Sequence, residues 1–172
     1  MESVAEKLST ATHIVLTIGV APSFFSAETG EYIFRENYKR LLASGKVVMR
    51  TTTCSENVDN LRAVSSILNI LAPDTRKVIT VSPVPLEGTS EFPSIVVADC
   101  VSKSVLRAAV HEVQSIEPDL LYFPSFEIVK WLSAYAMLEV FGAEDGNSRH
   151  VSEWVVDFIT SGFMNLYFTP KV

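Results

Sequence analysis

Two patterns of apolar residues alternate along the chain. The runs 13–19, 77–82 and 120–123 are short, apolar and rich in β-branched residues, which is typical of strands buried on both faces of a parallel sheet. Between and after them, apolar residues recur every three or four positions, which predicts amphipathic helices. Strands separated by helices imply right-handed crossovers and a mostly parallel sheet covered by helices. We expect helices to begin near Glu2, Tyr38, Ser55, Asp99, Phe126 and Glu153.

The region between the first strand and the first long helix is less regular. Ser, Pro and Gly residues in Pro22–Gly30 predict a loop. The short apolar segments Tyr32–Phe34 and Val47–Met49 favour minor edge strands. These segments therefore add little to the predicted central sheet.

Polar residues mark the ends of the two longest predicted helices. Thr53 and Glu56 have the spacing of a capping box, so the first of these helices begins there. Pro73 ends it, because proline cannot continue a helix. Asp99 is the expected N-cap of the other, which follows the proline-rich loop Ser82–Ser94.

Composition narrows the class of protein. The chain has 172 residues, which predicts one domain over 1–172 with its own core. Its 14 Lys and Arg against 20 Asp and Glu, without a basic run, argue against nucleic-acid binding. No apolar run approaches the roughly 20 residues of a membrane span, and the first residues lack the basic and apolar regions expected of a signal peptide. Two cysteines do not form a disulfide framework, so we expect a cytoplasmic protein.

The predicted topology indicates where a ligand would bind. In parallel sheets, ligands lie beyond the carboxyl ends of the strands. Gly19, Ser82 and Ser125 each follow or end a predicted strand at that edge, and the turn containing His150 leads into the last helix.

Five segments stand in order between residues 14 and 163: Thr17–Val20, Thr80–Leu86, Val96–Arg107, Tyr122–Ile128 and Arg149–Ser152. Together they resemble the GSCFA family, a branch of the SGNH/GDSL hydrolase-like folds. The resemblance implies a three-layer, flavodoxin-like α/β fold with a mostly parallel sheet of four or five strands. It also implies an esterase or O-acyltransferase acting on an acyl ester, with a glycan as one expected carrier.

The family resemblance assigns roles to three residues. His150 is the expected base, because acyl transfer needs a group that takes the proton of the nucleophile. Asp145 would orient that imidazole, and the backbone N–H of Gly19 would stabilise the oxyanion. The alternatives are an exposed turn histidine at position 150 and a simple turn glycine at position 19.

Three further polar residues are candidates for substrate contacts. Ser82 and Ser125 could hydrogen-bond a substrate, or could instead tie down proline-containing loops. Lys103 could steady an anionic group, or be a solvated helix lysine. Cys54 and Cys100 are expected to be small buried residues rather than nucleophiles.

The chain lacks the element that carries the family's nucleophile. The resemblance places a Gly-Ser-Cys-Phe-Ala element at the end of the first strand, and that element does not occur here. Other positions differ as well, since Asp99 stands where the family has Asn. We therefore expect the N-terminal, nucleophile-bearing portion to be missing from this chain. Two functions stay open: an esterase or acyltransferase completed by another chain or by a missing segment of its own, and a non-catalytic subunit or binding module.

We expect no metal and no cofactor. His13 and His111 have no ligand spacing to any Cys, Asp or Glu, and His111 is expected to be solvated. A sheet that lacks its first strand has an open edge, which invites pairing with another chain. The expected partner is a second copy or a nucleophile-bearing subunit. Aromatic residues that could cover the gap or form an interface crowd the C-terminal third: Trp131, Tyr135, Phe141, Trp154, Phe158, Phe163, Tyr167 and Phe168.

Overall fold

The computed structural model describes residues 4–34 and 38–168 and contains helices and two separate sheets. The predicted alternation of strands and helices is confirmed. In chain order the elements are α1 (Val4–Thr10), β1 (His13–Ile18), β2 (Pro22–Ser26), α2 (Tyr38–Ala43), β3 (Val47–Thr51), α3 (Cys54–Leu71), β4 (Arg76–Val81), α4 (Ile95–Ile116), β5 (Leu120–Tyr122), α5 (Ser125–Tyr135) and α6 (Glu153–Tyr167).

The central sheet is parallel, with β4 between β1 and β5. Side chains alternate across β4: Ile79 packs with helix α4, whereas Thr80 meets the start of α5 on the opposite face. The layered α/β class is therefore confirmed. Within the described residues this sheet has three strands rather than four or five, because β2 and β3 pair with each other instead of joining it.

The segment predicted as a loop at Pro22–Gly30 contains β2, so that prediction was wrong. Phe24 lies opposite Met49 in an antiparallel ladder between β2 and β3. The pairing joins residues about 25 positions apart and could not be detected from local composition. Tyr32, predicted to lie in a minor edge strand, makes only an isolated bridge to Phe25.

The buried cluster with the most members packs β4 against α4. Ile79 and Val81 are fully buried against Ala109, Val110 and Val113. Burying side chains of this size contributes roughly 1.5–3 kcal/mol each. This packing fixes the carboxyl end of β4 relative to α4, which matters for the site described below.

The capping box at α3 is confirmed. The Thr53 side chain accepts from the Glu56 N–H, and the Glu56 carboxylate accepts from the Thr53 N–H at 2.8 Å. Arg50 on β3 donates to both Glu56 carboxylate oxygens, at 2.9 and 2.6 Å. The prediction for α4 was wrong, because Ser94 caps that helix and Asp99 lies inside it.

Two groups among the C-terminal aromatic residues have contrasting positions. Phe163 and Tyr167 pack edge-on against Phe123 at the end of β5. Trp131 and Tyr135, by contrast, are 66% and 82% exposed. The first group covers the sheet, whereas the second leaves an aromatic surface on α5.

Candidate functional site

A crevice of about 680 Å³ opens at the carboxyl ends of β1 and β4. It contains the predicted residues Gly19 and Ser82, together with Arg149 from the turn before α6. The loops that follow the parallel strands form one side, and the β2–β3 pair forms the other. The topology thus creates a cavity at the edge where the sequence predicts a ligand.

Lys103, on α4, bonds both the loop that follows β1 and the loop that follows β4. Its ammonium group donates to the carbonyl oxygens of Gly19 at 2.7 Å, Ser82 at 2.8 Å and Val84 at 2.8 Å. The side chain is 2% exposed, so the solvated alternative is wrong. Burial lowers the pKa of Lys103, and the charge of Asp99 acts in the opposite direction. Because all three donors of its ammonium group are used by loop carbonyls, Lys103 fixes the position of the crevice loops.

Two more side chains on the same face of α4 secure these loops. The Asp99 carboxylate accepts from the Leu86 N–H at 2.9 Å, and the Ser102 hydroxyl accepts from the Ala21 N–H at 2.8 Å. Together with Lys103 they have the i, i+3, i+4 spacing of one helix face. Lys103 is identified from the sequence as a candidate but is not grouped there with Asp99 and Ser102, although polar residues at that spacing interrupt an otherwise apolar helical face.

The loop after β1 is also held from the side of β3. Thr52 donates its hydroxyl to the Ala21 carbonyl at 2.8 Å, and its backbone N–H donates to the same oxygen at 3.1 Å. Gly19 itself is exposed, and no atom lies within 4 Å of the position a Cβ would occupy. The backbone beside the crevice is therefore fixed, while the space in front of Gly19 is open.

His150 and Asp145 form a close pair in the turn before α6. The His150 Nδ1 lies 2.5 Å from the Asp145 Oδ2, and the His150 Nε2 lies 3.2 Å from the Asn147 amide nitrogen. These contacts fit a neutral imidazole whose Nδ1–H donates to Asp145 and whose Nε2 accepts from Asn147. A general base needs this tautomer. The side chains are 61% and 47% exposed, so the pair lies at the surface.

Backbone hydrogen bonds build the turn that presents this pair. The Gly142 N–H donates to the His150 carbonyl and the Gly146 N–H donates to the Gly142 carbonyl, both at 2.8 Å. The Asn147 N–H donates to the Asp145 carboxylate at 2.8 Å. This bond, more than the His150 ring, holds the pKa of Asp145 below its usual value.

Arg149 connects this turn to the crevice. Its Nε donates to the Pro85 carbonyl at 3.2 Å, and its guanidinium lies 3.5 Å from the Glu87 carboxylate. Arg149 lines the cavity, whereas His150 and Asp145 are not among the lining residues. Of the pair, His150 is thus next in sequence to a residue of the crevice wall.

The two predicted serines have different positions. Ser82 lines the crevice, and its hydroxyl accepts from the Val84 N–H at 3.3 Å. Ser125 is buried, donates to the Val81 carbonyl at 3.0 Å and lies 2.6 Å from the Thr80 hydroxyl. Gly19 and Ser82 therefore lie together at the crevice, whereas Ser125 anchors a loop, which is the alternative role predicted for it.

The cysteines and the other histidines lie outside this site. Cys54 packs on the core, and burial raises its pKa. Cys100 is exposed on α4, so the expectation that it is buried was wrong. His111 is exposed, as predicted, and His13 stacks on Phe168. Residues 4–34 and 38–168 contain no group of three or more His, Cys, Asp or Glu that could hold a metal ion.

None of the described helices combines the length and apolar character needed to cross a bilayer. Comparison with curated proteins and with solved structures found no match to this chain. The GSCFA family model matches residues 1–163. Since that match covers nearly the whole sequence, including both strand-end loops and the His150 turn, the chain belongs to the GSCFA family.

Proposed function

We propose that this chain supplies the base and the substrate crevice of an esterase or O-acyltransferase, and that another polypeptide segment supplies the nucleophile. The close approach of His150 Nδ1 to Asp145 Oδ2, in a turn bonded to the crevice wall, carries the proposal. The buried Lys103 supports the proposal, because its charged side chain bonds the strand-end loops and so keeps the crevice in a fixed shape.

Each residue has a defined role in this proposal. The nucleophile adds to the ester carbonyl while its proton passes to His150 Nε2. Asp145 stabilises the imidazolium, and the Gly19 N–H binds the oxyanion. The imidazolium then returns the proton to the departing alcohol, and an acyl-enzyme forms. Water or an acceptor hydroxyl releases the acyl group by the same steps. Asn147 must leave Nε2 before the proton can transfer.

A second candidate function is a non-catalytic subunit that binds a partner strand, and the open edge of β1 favours it. The sequence of β1 is that of an interior strand, yet β1 is an outer strand of the described sheet, with Val15 48% exposed. Carbonyls of Thr12 and Ile18 point toward β4. Backbone N–H and C=O groups point to alternate sides of a strand from one residue to the next. Those of Val15 and Thr17 therefore point to the open edge. A parallel strand paired there would end beside Gly19.

A synthetic peptide can separate the two candidates. The peptide has six β-branched apolar residues followed by Gly-Ser-Cys-Phe-Ala, and p-nitrophenyl acetate and p-nitrophenyl octanoate are the two substrates. The enzymatic proposal predicts hydrolysis by chain and peptide together above the sum of their separate rates. It also predicts loss of that rate in His150→Ala and retention in His111→Ala, which removes an exposed histidine on α4.

Other outcomes distinguish the alternatives. Peptide binding that shifts the Val15 and Thr17 amide resonances, survives His150→Ala and gives no hydrolysis supports the non-catalytic subunit. Phosphonylation of the chain alone by a fluorophosphonate, lost in His150→Ala, would locate the nucleophile within this chain. That result would contradict the need for another segment.

A further inference from the structure

The wall of the crevice opposite Ser82 is apolar and comes from three separate elements. Phe24 on β2, Leu42 on α2 and Met49 on β3 converge on the cavity, and each side chain is only partly buried. Val84 and Leu86 continue this surface along the proline-rich loop. The volume of the crevice, about 680 Å³, lies within the range of small-molecule sites.

The polar groups of the cavity are concentrated elsewhere. Gly19 and Ser82 lie at the strand ends, and Glu87, Thr89 and Ser90 lie on the proline-rich loop. Arg149 is already engaged by Pro85 and Glu87. A single engaged guanidinium is a poor match for a phosphorylated ligand, which needs several donors. Leucine and methionine, in contrast, adapt well to a flexible apolar chain.

Both walls are held in position. The Glu91 carboxylate of the proline-rich loop accepts from the Thr51 N–H at 2.7 Å and from its hydroxyl at 2.6 Å. Thr51 ends β3, the strand that carries Met49. The cavity therefore has a defined width before any ligand enters.

We propose that this crevice binds a linear acyl chain, with the hydrocarbon against Phe24, Leu42 and Met49 and the carbonyl end toward Gly19 and Ser82. The inference rests on the proposed function for the chemistry of the carbonyl end. It adds the substrate class: esters of medium-length or longer acyl groups rather than acetyl esters. Removing hydrocarbon from water supplies the binding energy, so affinity rises with chain length.

Methionine methyl NMR tests the proposal without requiring turnover. In protein with ¹³C-labelled methionine methyl groups, decanoate should shift the Met49 resonance saturably and leave the fully exposed Met137 unchanged. Acetate at the same concentrations should shift neither. Leu42→Asn should weaken decanoate binding by about tenfold, since it replaces a hydrocarbon contact with a polar one.

A matched variant controls for a general loss of structure. Ile67→Asn makes the same kind of change on an exposed face of α3, at a residue that does not line the cavity, and should leave decanoate affinity unchanged. Equal, non-saturable shifts of Met49 and Met137 would overturn the proposal, as would equal affinity for acetate. Decanoate binding at Met49 without peptide-dependent hydrolysis would support the acyl site and count against the catalytic proposal alone.

Discussion

The Lys103 ammonium lies 2.7 Å from the Gly19 carbonyl oxygen, although 84 residues separate the two in sequence. The same ammonium bonds the carbonyls of Ser82 and Val84, so one charge joins the ends of β1 and β4. Backbone carbonyls in a strand-end loop cannot pair with a neighbouring strand, and they need another donor when buried. Lys103 thereby makes the crevice a fixed part of the fold.

Lys103→Met should destabilise the protein by about 3 kcal/mol, because it keeps the side-chain volume but removes the donors of three carbonyls. Urea unfolding at neutral pH measures the change. Lys7→Met is the matched control, since Lys7 is exposed on α1, and it should change the free energy of unfolding by less than about 0.5 kcal/mol. Equal stability of the two variants would show that Lys103 does not hold the loops.

The rigidity of the turn that carries the His150–Asp145 pair can be tested by placing alanine at either of two glycines, Gly142 and Gly146. Both have a positive φ, +73° and +71°. Alanine at either position has the cost of the left-handed conformation, about 1 kcal/mol. At Gly142 the new Cβ would also lie 3.0 Å from the Asn147 carbonyl oxygen, whereas nothing lies within 4 Å at Gly146.

We therefore expect Gly142→Ala to destabilise the protein more than Gly146→Ala in thermal unfolding. Its NMR spectrum should also show displaced Asn147 and His150 amide resonances. Equal losses in the two variants would mean that the turn relaxes around the added methyl group.

The pKa of Asp145 should remain low after its imidazole partner is removed. The largest cause of the lowered pKa is the Asn147 backbone N–H, and the His150 ring is the next. In His150→Ala, a ¹³C-NMR titration of the Asp145 carboxyl group should thus give a pKa still below the ordinary value of 3.8. A return to the ordinary value would assign the shift to His150 instead.

Local patterns were sufficient to predict β4 and α3. A continuous apolar run indicates a strand buried on both faces, and the spacing of two nearby residues indicates a capping box. The segment Pro22–Ser26 could not be identified, since its strand exists only through pairing with β3. Local sequence favours Asp99 as a helix cap, because its actual partner, the Leu86 N–H, lies 13 residues earlier in a loop whose path the sequence does not predict. The His150–Asp145 pairing followed from the family resemblance, whereas the burial of Lys103 required the packed helix.

Glu56 connects the capping box of α3 to β3, and its charge should make stability depend on pH. Hydrogen bonds from Arg50, then from the Thr53 backbone, lower the pKa of Glu56 to about 2 from 4.5. A carboxyl group with a lowered pKa stabilises the fold above its ordinary pKa, and this contribution is lost as the pH falls from about 4.5 to about 2. The Glu56 side chain is 34% exposed, so solvent screens the pair and we expect about 1 kcal/mol.

Glu56→Gln should therefore lower the free energy of unfolding by about 1 kcal/mol at pH 7, and the difference from the parent should shrink toward zero near pH 2. Urea unfolding at pH 7, 4 and 2 measures both effects. Glu28→Gln, in the exposed turn after β2, should match the parent at every pH because its charge has no comparable donors. A difference for Glu56→Gln that stays constant from pH 7 to pH 2 would assign the loss to side-chain packing, since only a charge-dependent bond disappears when the carboxylate takes up a proton.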